Sequence, residues 1–151
     1  MMEKIELILP KAHQKVQITP AMQREIDDVQ RELLDKGNRL EEDKIHVIIS
    51  KGFYKHDQKI MTIATVVVNK TNQDINTLKM TLKFGLRDNA KAQFAPMNAM
   101  LDEEFLGLLK HNQAFILHIN VPVKDVAEED HVYEPRDIVG QIDNVEYFIQ
   151  H

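Results

Sequence analysis

The residues best suited to chemistry lie in an acidic segment toward the C-terminal end: Asp125, Glu128, Glu129, Asp130 and His131. Carboxylates beside a histidine can ligate a divalent cation. However, the segment lacks the regular acidic spacing, central glycine and late glutamate of a calcium loop, and the chain has no His-Glu-x-x-His pair. Charge runs of this kind are usually solvated. The sequence therefore predicts a polar loop over residues 123–137 and no metal site.

Groups that could carry out catalysis are sparse. The chain has no cysteine, and Ser50 is its only serine, so the usual nucleophiles are almost lacking. The histidines are scattered, and His46 and His118 fall on strand positions opposite the apolar face, where we expect them to be exposed. Neither common glycine-rich phosphate loop is present. We therefore predict no catalytic residue, no cofactor and no enzymatic activity.

The strongest structural signal is an unbroken alternation over Thr77–Arg87. Apolar residues fill every even position there, and mostly polar ones fill the odd positions. This period of two predicts a β-strand with one face on a core and the other in water. Ile60–Val68 predicts a second strand that is apolar on both faces, so we expect both faces to be covered. The polar connection 69–74 suggests that the two strands form a β-hairpin.

Three basic residues, Lys79, Lys83 and Arg87, share the wet face of the strand Thr77–Arg87. Two interpretations are open. The stripe could meet an acidic partner, or its lysines, on a solvated or edge strand, could keep sheets from stacking.

An amphipathic helix is predicted over residues 20–36. Thr19-Pro20 is a typical helix start, because threonine can accept from a free backbone N–H and proline is tolerated at the first helical position. Gly37-Asn38 supplies the stop. One apolar stripe follows the helix and its end: Met22, Ile26, Val29, Leu33 and Leu40. This stripe either packs on the chain's own sheet or serves as a docking helix or short coiled coil.

The remaining segments complete a mostly β chain. Further strands are predicted over Ile45–Phe53, Lys91–Ala95, Gln113–Val121 and Val139–Ile149, the last with Val145, Tyr147 and Ile149 pointing inward. Pro122 is expected to end the strand before it. We predict a single domain over residues 1–151, with a helical element at 19–38 and an immunoglobulin-like β-sandwich at 44–149.

Charge and hydropathy limit the partner classes. The net charge is −5, and no basic patch is interleaved with aromatic residues, which argues against nucleic acid. No window approaches the roughly 18–20 apolar residues that a membrane helix requires. The first ten residues do not form a signal peptide, because Glu6 interrupts a short apolar run. We expect a cytoplasmic protein that does not insert into membranes.

The order of these segments resembles the SLAP domain of accessory Sec and S-layer assembly proteins in Gram-positive bacteria. The resemblance covers roughly residues 19–123. It rests on the helix that begins at Thr19-Pro20, the strand Ile63–Val68 followed by Asn69-Lys70-Thr71, and the Phe-Leu-Gly-Leu-Leu run before Phe115–Val121. It implies a non-enzymatic accessory module linked to secretion or cell-surface assembly, with no catalytic residues to transfer.

We therefore expect a protein-interaction module whose partner is another protein or a second copy of this chain. The predicted contact residues are Met22, Ile26, Val29, Leu33, Lys79, Lys83 and Arg87. The alternative is a sandwich that binds a small ligand or a divalent metal through the loop 125–131. An enzyme whose site is assembled from other polar residues is a third hypothesis.

Overall fold

The computed structural model describes residues 4–149, so the ends of the predicted domain, including His151, lie outside the described residues. The fold is mostly β, in two sheets, with one long helix, which confirms the predicted secondary-structure class. No helix within residues 4–149 is long and apolar enough to cross a membrane.

The larger sheet has six strands: β1 Glu6–Leu7, β2 Ile45–Lys55, β3 Ile60–Asn69, β5 Gln93–Phe94, β7 Gln113–Lys124 and β8 His131–Tyr133. The three long strands β2, β3 and β7 pair in antiparallel ladders. Short strands extend the sheet: β8 pairs with one end of β2, while β1 (parallel) and β5 (antiparallel) pair with opposite ends of β7.

The smaller sheet has β4 at its centre, between β6 and β9, and both pairings are antiparallel. The strands are β4 Thr77–Leu86, β6 Met97–Leu101 and β9 Ile138–Phe148. A one-turn helix, α2, Glu103–Leu106, lies between β6 and β7 in the chain. The Asp102 carboxylate caps its start, and Gly107, at φ 69°, ends it. Glycine suits that position because it adopts positive φ without strain.

The two sheets share one hydrophobic core. Leu78, Met80 and Leu82 of β4 are at most 3% exposed and pack in the same cluster as Ile63 of β3 and Phe115 of β7. The predicted alternation along β4 is therefore confirmed, since its even-numbered side chains supply the core of the smaller sheet.

A long helix, α1, Pro20–Lys36, covers the opposite face of the larger sheet. The Thr19 hydroxyl accepts from Met22 N at its start, and Gly37 N donates to Leu33 O at its end, so the predicted caps and bounds are confirmed. Val66 and Val68 of β3 pack against α1, whereas Ile63 and Val67 pack toward the smaller sheet. β3 is thus covered on both faces, as its sequence predicts.

The predicted hairpin between β3 and β4 is wrong, because the two strands lie in different sheets. The connection after β3 first extends the β2 ladder, through Lys70 N to Lys44 O at 2.9 Å. The Asn69 side chain then binds Gln73 O, and Ile75 pairs with Leu109. These bonds turn the chain from one sheet to the other, and β3 forms its hairpin with β2 instead.

Pro122 does not end its strand, which continues to Lys124. Val123 N donates to Lys59 O. In an antiparallel ladder the hydrogen-bonded pairs alternate with pairs that exchange no hydrogen bond, and Pro122, opposite Ile60, belongs to the second kind. The missing N–H of Pro122 therefore removes no hydrogen bond between β3 and β7. The predicted loop 123–137 is also partly wrong, because it contains the end of β7, all of β8 and a 3₁₀ turn at Pro135–Asp137.

In the last strand, β9, the side chains that face the core change from one alternating set to the other partway along. Ile138 is buried and Ile142 contacts the core before an irregularity in the β4–β9 register, where Asn144 has φ 54°; Val145 and Tyr147 contact the core afterwards. The predicted inward positions of Val145 and Tyr147 are correct. Ile149 lies past the end of β9 and is 37% exposed, so its predicted inward position is wrong.

Candidate functional site

An apolar groove runs between the first half of α1, the segment around β1, and β7. We call it the helix groove, and its volume is about 320 Å³. Its apolar lining comes from three parts of the chain: Leu7, Ile8, Leu9, Pro10, Val16, Met22, Ile26 and Ile116. Three polar side chains complete it: His13, Glu25 and His118. Concave, mostly apolar sites with a few converging polar groups are typical binding sites.

The apolar stripe of α1 divides into two parts with different surroundings. Val29 is 1% exposed and Leu33 is 4% exposed, and both pack with Val66 and Val68, so these two predicted contact residues are core residues that a partner cannot reach. Ile26 and Met22 lie one and two turns nearer the start of α1, are only partly buried, and line the helix groove. The groove therefore contains two of the four predicted helix contacts.

An ion pair crosses from α1 to the sheet at the groove. His118 Nε2 lies 2.9 Å from Glu25 Oε2, with side chains 49% and 30% exposed respectively. The hydrogen bond to the Glu25 carboxylate raises the pKa of His118, against a smaller opposing effect of desolvation. The predicted exposure of His118 is correct, but the sequence did not indicate its partner 93 residues away. His46, also predicted exposed, is half-buried, and its Nε2 lies 2.7 Å from Glu41 O.

The predicted basic stripe lies on a strand with neighbours on both sides. β9 places acidic residues beside it: Glu146 is the register partner of Lys79, and Asp143 Oδ2 is 3.4 Å from Lys83 Nζ. A hydrogen bond from Gln141, reinforced by Lys83, lowers the pKa of Asp143. β4 is the central strand of its sheet, so protection of a free edge is excluded as the role of the lysines, whereas a solvated face that keeps sheets from stacking and contact with an acidic partner both stay predictions.

Arg87 stands just past the end of β4 and contacts the 3₁₀ turn before β9. Its Nε donates to Arg136 O at 2.9 Å, and its backbone N donates to Asp137 O at 2.9 Å. Arg87 therefore lies just beyond the strand that carries Lys79 and Lys83, and none of the three lines the helix groove.

A second and larger opening separates the two sheets where β2 and β9 approach each other. We call it the sheet cleft; its volume is about 690 Å³. Val47, Ile49, Leu82, Phe84 and Ile142 contribute apolar side chains, and Lys36, Glu134 and Arg136 contribute charged ones. A methyl group on Gly140 would lie 2.9 Å from Ile49 Cδ1, so the backbone of β9 approaches β2 closely here.

The acidic segment does not assemble a recognisable metal site in the described part of the chain, where no three His, Asp or Glu side chains form a group that could hold a metal. Asp130 is used structurally instead. Its Oδ1 accepts from His56 N at 2.8 Å, and its Oδ2 lies 3.9 Å from Lys55 Nζ. The carboxylate therefore contacts the β2–β3 turn.

The polar residues of the Asn69-Lys70-Thr71 turn are buried, which the sequence pattern did not indicate. Asn69 is fully buried, and its amide donates to Gln73 O and Leu109 O, each at 3.0 Å, while its Oδ1 accepts from Thr71 N. Lys70 is 5% exposed, and its Nζ donates to Asn112 Oδ1 at 2.7 Å. The motif, which also reads as a glycosylation acceptor, thus holds the crossing between the sheets.

Comparison of the chain with family models, with curated proteins and with solved structures finds no match. The resemblance to the SLAP domain therefore stays a prediction.

Proposed function

We propose that this chain is a non-catalytic protein-interaction module whose partner inserts apolar side chains into the helix groove. The observation that carries the proposal is the position of Met22 and Ile26: they continue the apolar stripe of α1, yet they line an open groove while Val29 and Leu33 are buried. Large apolar side chains that line a concave site and remain partly exposed are typical of binding surfaces.

We further propose that the fold is an immunoglobulin-like β-sandwich of the SLAP-domain type. Two sheets that share one core, with long antiparallel ladders in each, support a sandwich. This resemblance would make the chain a bacterial accessory module in secretion or cell-surface assembly. Its cytoplasmic location and the second copy of the chain as partner stay predictions.

The lack of enzymatic activity is part of the same proposal. Among the described residues, the groups with shifted pKa values are Glu41, His118, Tyr133 and Asp143. Only His118 lies in the helix groove, and Glu25 already occupies its Nε2. The His118 imidazole, when protonated, and the Glu25 carboxylate are thus suited to join β7 to α1.

A photo-crosslinking experiment locates the partner. A photoreactive amino acid is placed at Ile26 and, as a matched control, at Leu34, which is 54% exposed on the same helix but does not line the groove. After irradiation in cells of the source organism, we expect a discrete adduct at position 26 that mass spectrometry identifies and that position 34 does not give. No adduct at 26, or the same adducts at both positions, would argue against this site.

A second candidate function is the binding of a small anionic ligand in the sheet cleft. Its volume falls within the range of small-molecule sites, about 300–1,000 Å³, and Lys36 and Arg136 supply positive charge beside an apolar floor. Gly140→Val would fill the cleft, because the added side chain meets Ile49 and Phe84. Fragments that bind the wild type in ligand-observed NMR and lose that binding in Gly140→Val would support this alternative; equal binding by both proteins would exclude this cleft.

A further inference from the structure

We propose that the Glu25–His118 pair is a pH-dependent latch that holds the first half of α1 against β7 and so controls access to the helix groove. The inference concerns the regulation of the groove and rests on the proposed function for its biological role. The physical latch can be measured without any partner.

The geometry places the pair where a latch has to act. Glu25 lies on α1 between the turns that carry Met22 and Ile26, and His118 lies on β7, two residues from Ile116. All five side chains line the same groove. Farther along α1, Val29 and Leu33 anchor the helix by apolar burial. In the first half of the helix no described side chain is buried to that extent, and the polar contact to β7, whose atoms lie 2.9 Å apart, ties this half to the sheet.

The direction of the pH effect follows from the proton on His118. The charged imidazole binds Glu25 more strongly than the neutral ring does, and the folded protein therefore has a raised His118 pKa. A raised pKa means that the latch contributes fully below the unfolded value, about 6.5, and that the contribution is lost as pH rises through the folded value. We expect the first half of α1 to be held against β7, as it is in this structure, in mildly acidic solution, and the groove to open further above the raised pKa.

Other charged and titratable groups near His118 are few in the described structure. The 3₁₀ turn Lys11–His13 contributes His13 to the same groove, and α1 contributes Glu25 itself. On the sheet, Lys51 of β2 lies in the same cross-strand row as Ala64 and His118, two strands away. Lys51 and a protonated His13 would both oppose the charge on His118, so the Glu25 carboxylate is the group that favours it.

Amide hydrogen exchange across pH tests the latch directly. Protection factors of residues 20–28 would be measured from pH 5.5 to 8.5 alongside an NMR titration of the His118 ring. Because the pair is partly exposed, we expect protection to fall about two- to fivefold as pH rises, the range of an ion pair worth up to about 1 kcal/mol. The midpoint of that fall should coincide with the titration of His118.

Glu25→Gln is the decisive variant, because it removes the charge with little change in size. It should lower the His118 pKa and leave protection of residues 20–28 independent of pH. Glu32→Gln is the matched control, since Glu32 pairs along the helix with Lys36, at 2.9 Å, and it should behave as wild type. Constant protection in the wild type, or a pH response that persists in Glu25→Gln, would overturn the latch.

The outcomes separate the latch from the proposed function. A pH response without a partner adduct at Ile26 would retain the latch and reject the groove as a protein-binding site. An adduct at Ile26 whose yield does not change with pH, together with constant protection, would retain the binding site and reject the latch.

Discussion

Single residues determine whether the fold can turn from one sheet to the other, and Asn69 is the clearest case. Its side chain satisfies two backbone carbonyls and accepts from Thr71, all without exposure to solvent. The sequence marks this position only as part of an Asn-Lys-Thr pattern, which matches a glycosylation acceptor and is more simply explained as a turn. Burial distinguishes them, because the folded chain leaves the amide no room for a glycan.

We predict that Asn69→Ala lowers the free energy of unfolding by about 2–3 kcal/mol, since buried polar partners are left unsatisfied. Urea denaturation followed by circular dichroism measures the change. Asn72→Ala is the control, because Asn72 is exposed and bonds only to the Asp43 side chain; its effect should stay within about 0.5 kcal/mol. Equal losses in the two variants would show that the Asn69 network does not stabilise the crossing.

A second prediction at this scale concerns Asp143, whose pKa is lowered first by the hydrogen bond from Gln141 and then by the hydrogen bond and the charge of Lys83. Gln141→Leu should therefore raise the Asp143 pKa toward its ordinary value, and by more than Lys83→Met does. An NMR titration of the carboxyl carbon resolves the order. A larger rise in Lys83→Met would mean that charge, not the amide hydrogen bond, dominates at this site.

Elements show why some sequence predictions held and others did not. The bounds of α1 were predictable because its caps and apolar spacing are local, and the alternation of β4 was predictable because it lies within one strand. The strand that pairs with β3 was not predictable, because no local sequence feature distinguishes a hairpin from a connection that crosses between sheets. The surroundings of the basic stripe were not predictable for the same reason, because the acidic residues beside it lie on β9, about sixty residues away in the sequence.

The division of the helix stripe gives a prediction at the element scale. Leu33→Ala should destabilise the protein by about 2–4 kcal/mol, because it leaves a cavity between α1 and the sheet. Leu34→Ala makes the same change one residue later, where the side chain is 54% exposed, and should cost less than about 0.5 kcal/mol. Chemical denaturation compares them directly. Similar values would place Leu33 outside the core and return it to the candidate contacts.

The whole molecule has three layers, α1 on the larger sheet and the larger sheet on the smaller one. The two hydrophobic clusters that join these layers draw on residues from distant parts of the chain. The helix groove is equally non-local, since Leu7, Ile26 and Ile116 meet only in the folded state. Its apolar helix face was predictable from the sequence, whereas its walls depend on tertiary structure.

The shared core predicts that the sheets unfold together, as the predicted single domain requires. Phe115 is fully buried between them, and Phe115→Ala should lower stability by about 3–5 kcal/mol. NMR signals of β3 and β4 recorded through a urea titration should share one midpoint in the wild type and shift together in the variant. Separate midpoints for the two sheets would contradict a single cooperative domain.

The central claim is that a partner protein binds at the helix groove. It is tested most directly by calorimetric titration of the purified partner, once crosslinking has identified it, against the wild type, Ile26→Ser and Leu34→Ser. We expect Ile26→Ser to weaken binding about tenfold or more, the effect of losing an apolar hot-spot side chain, whereas Leu34→Ser binds as wild type does. A urea midpoint for each form verifies that folding is retained. Equal affinities for all three folded forms would contradict the claim.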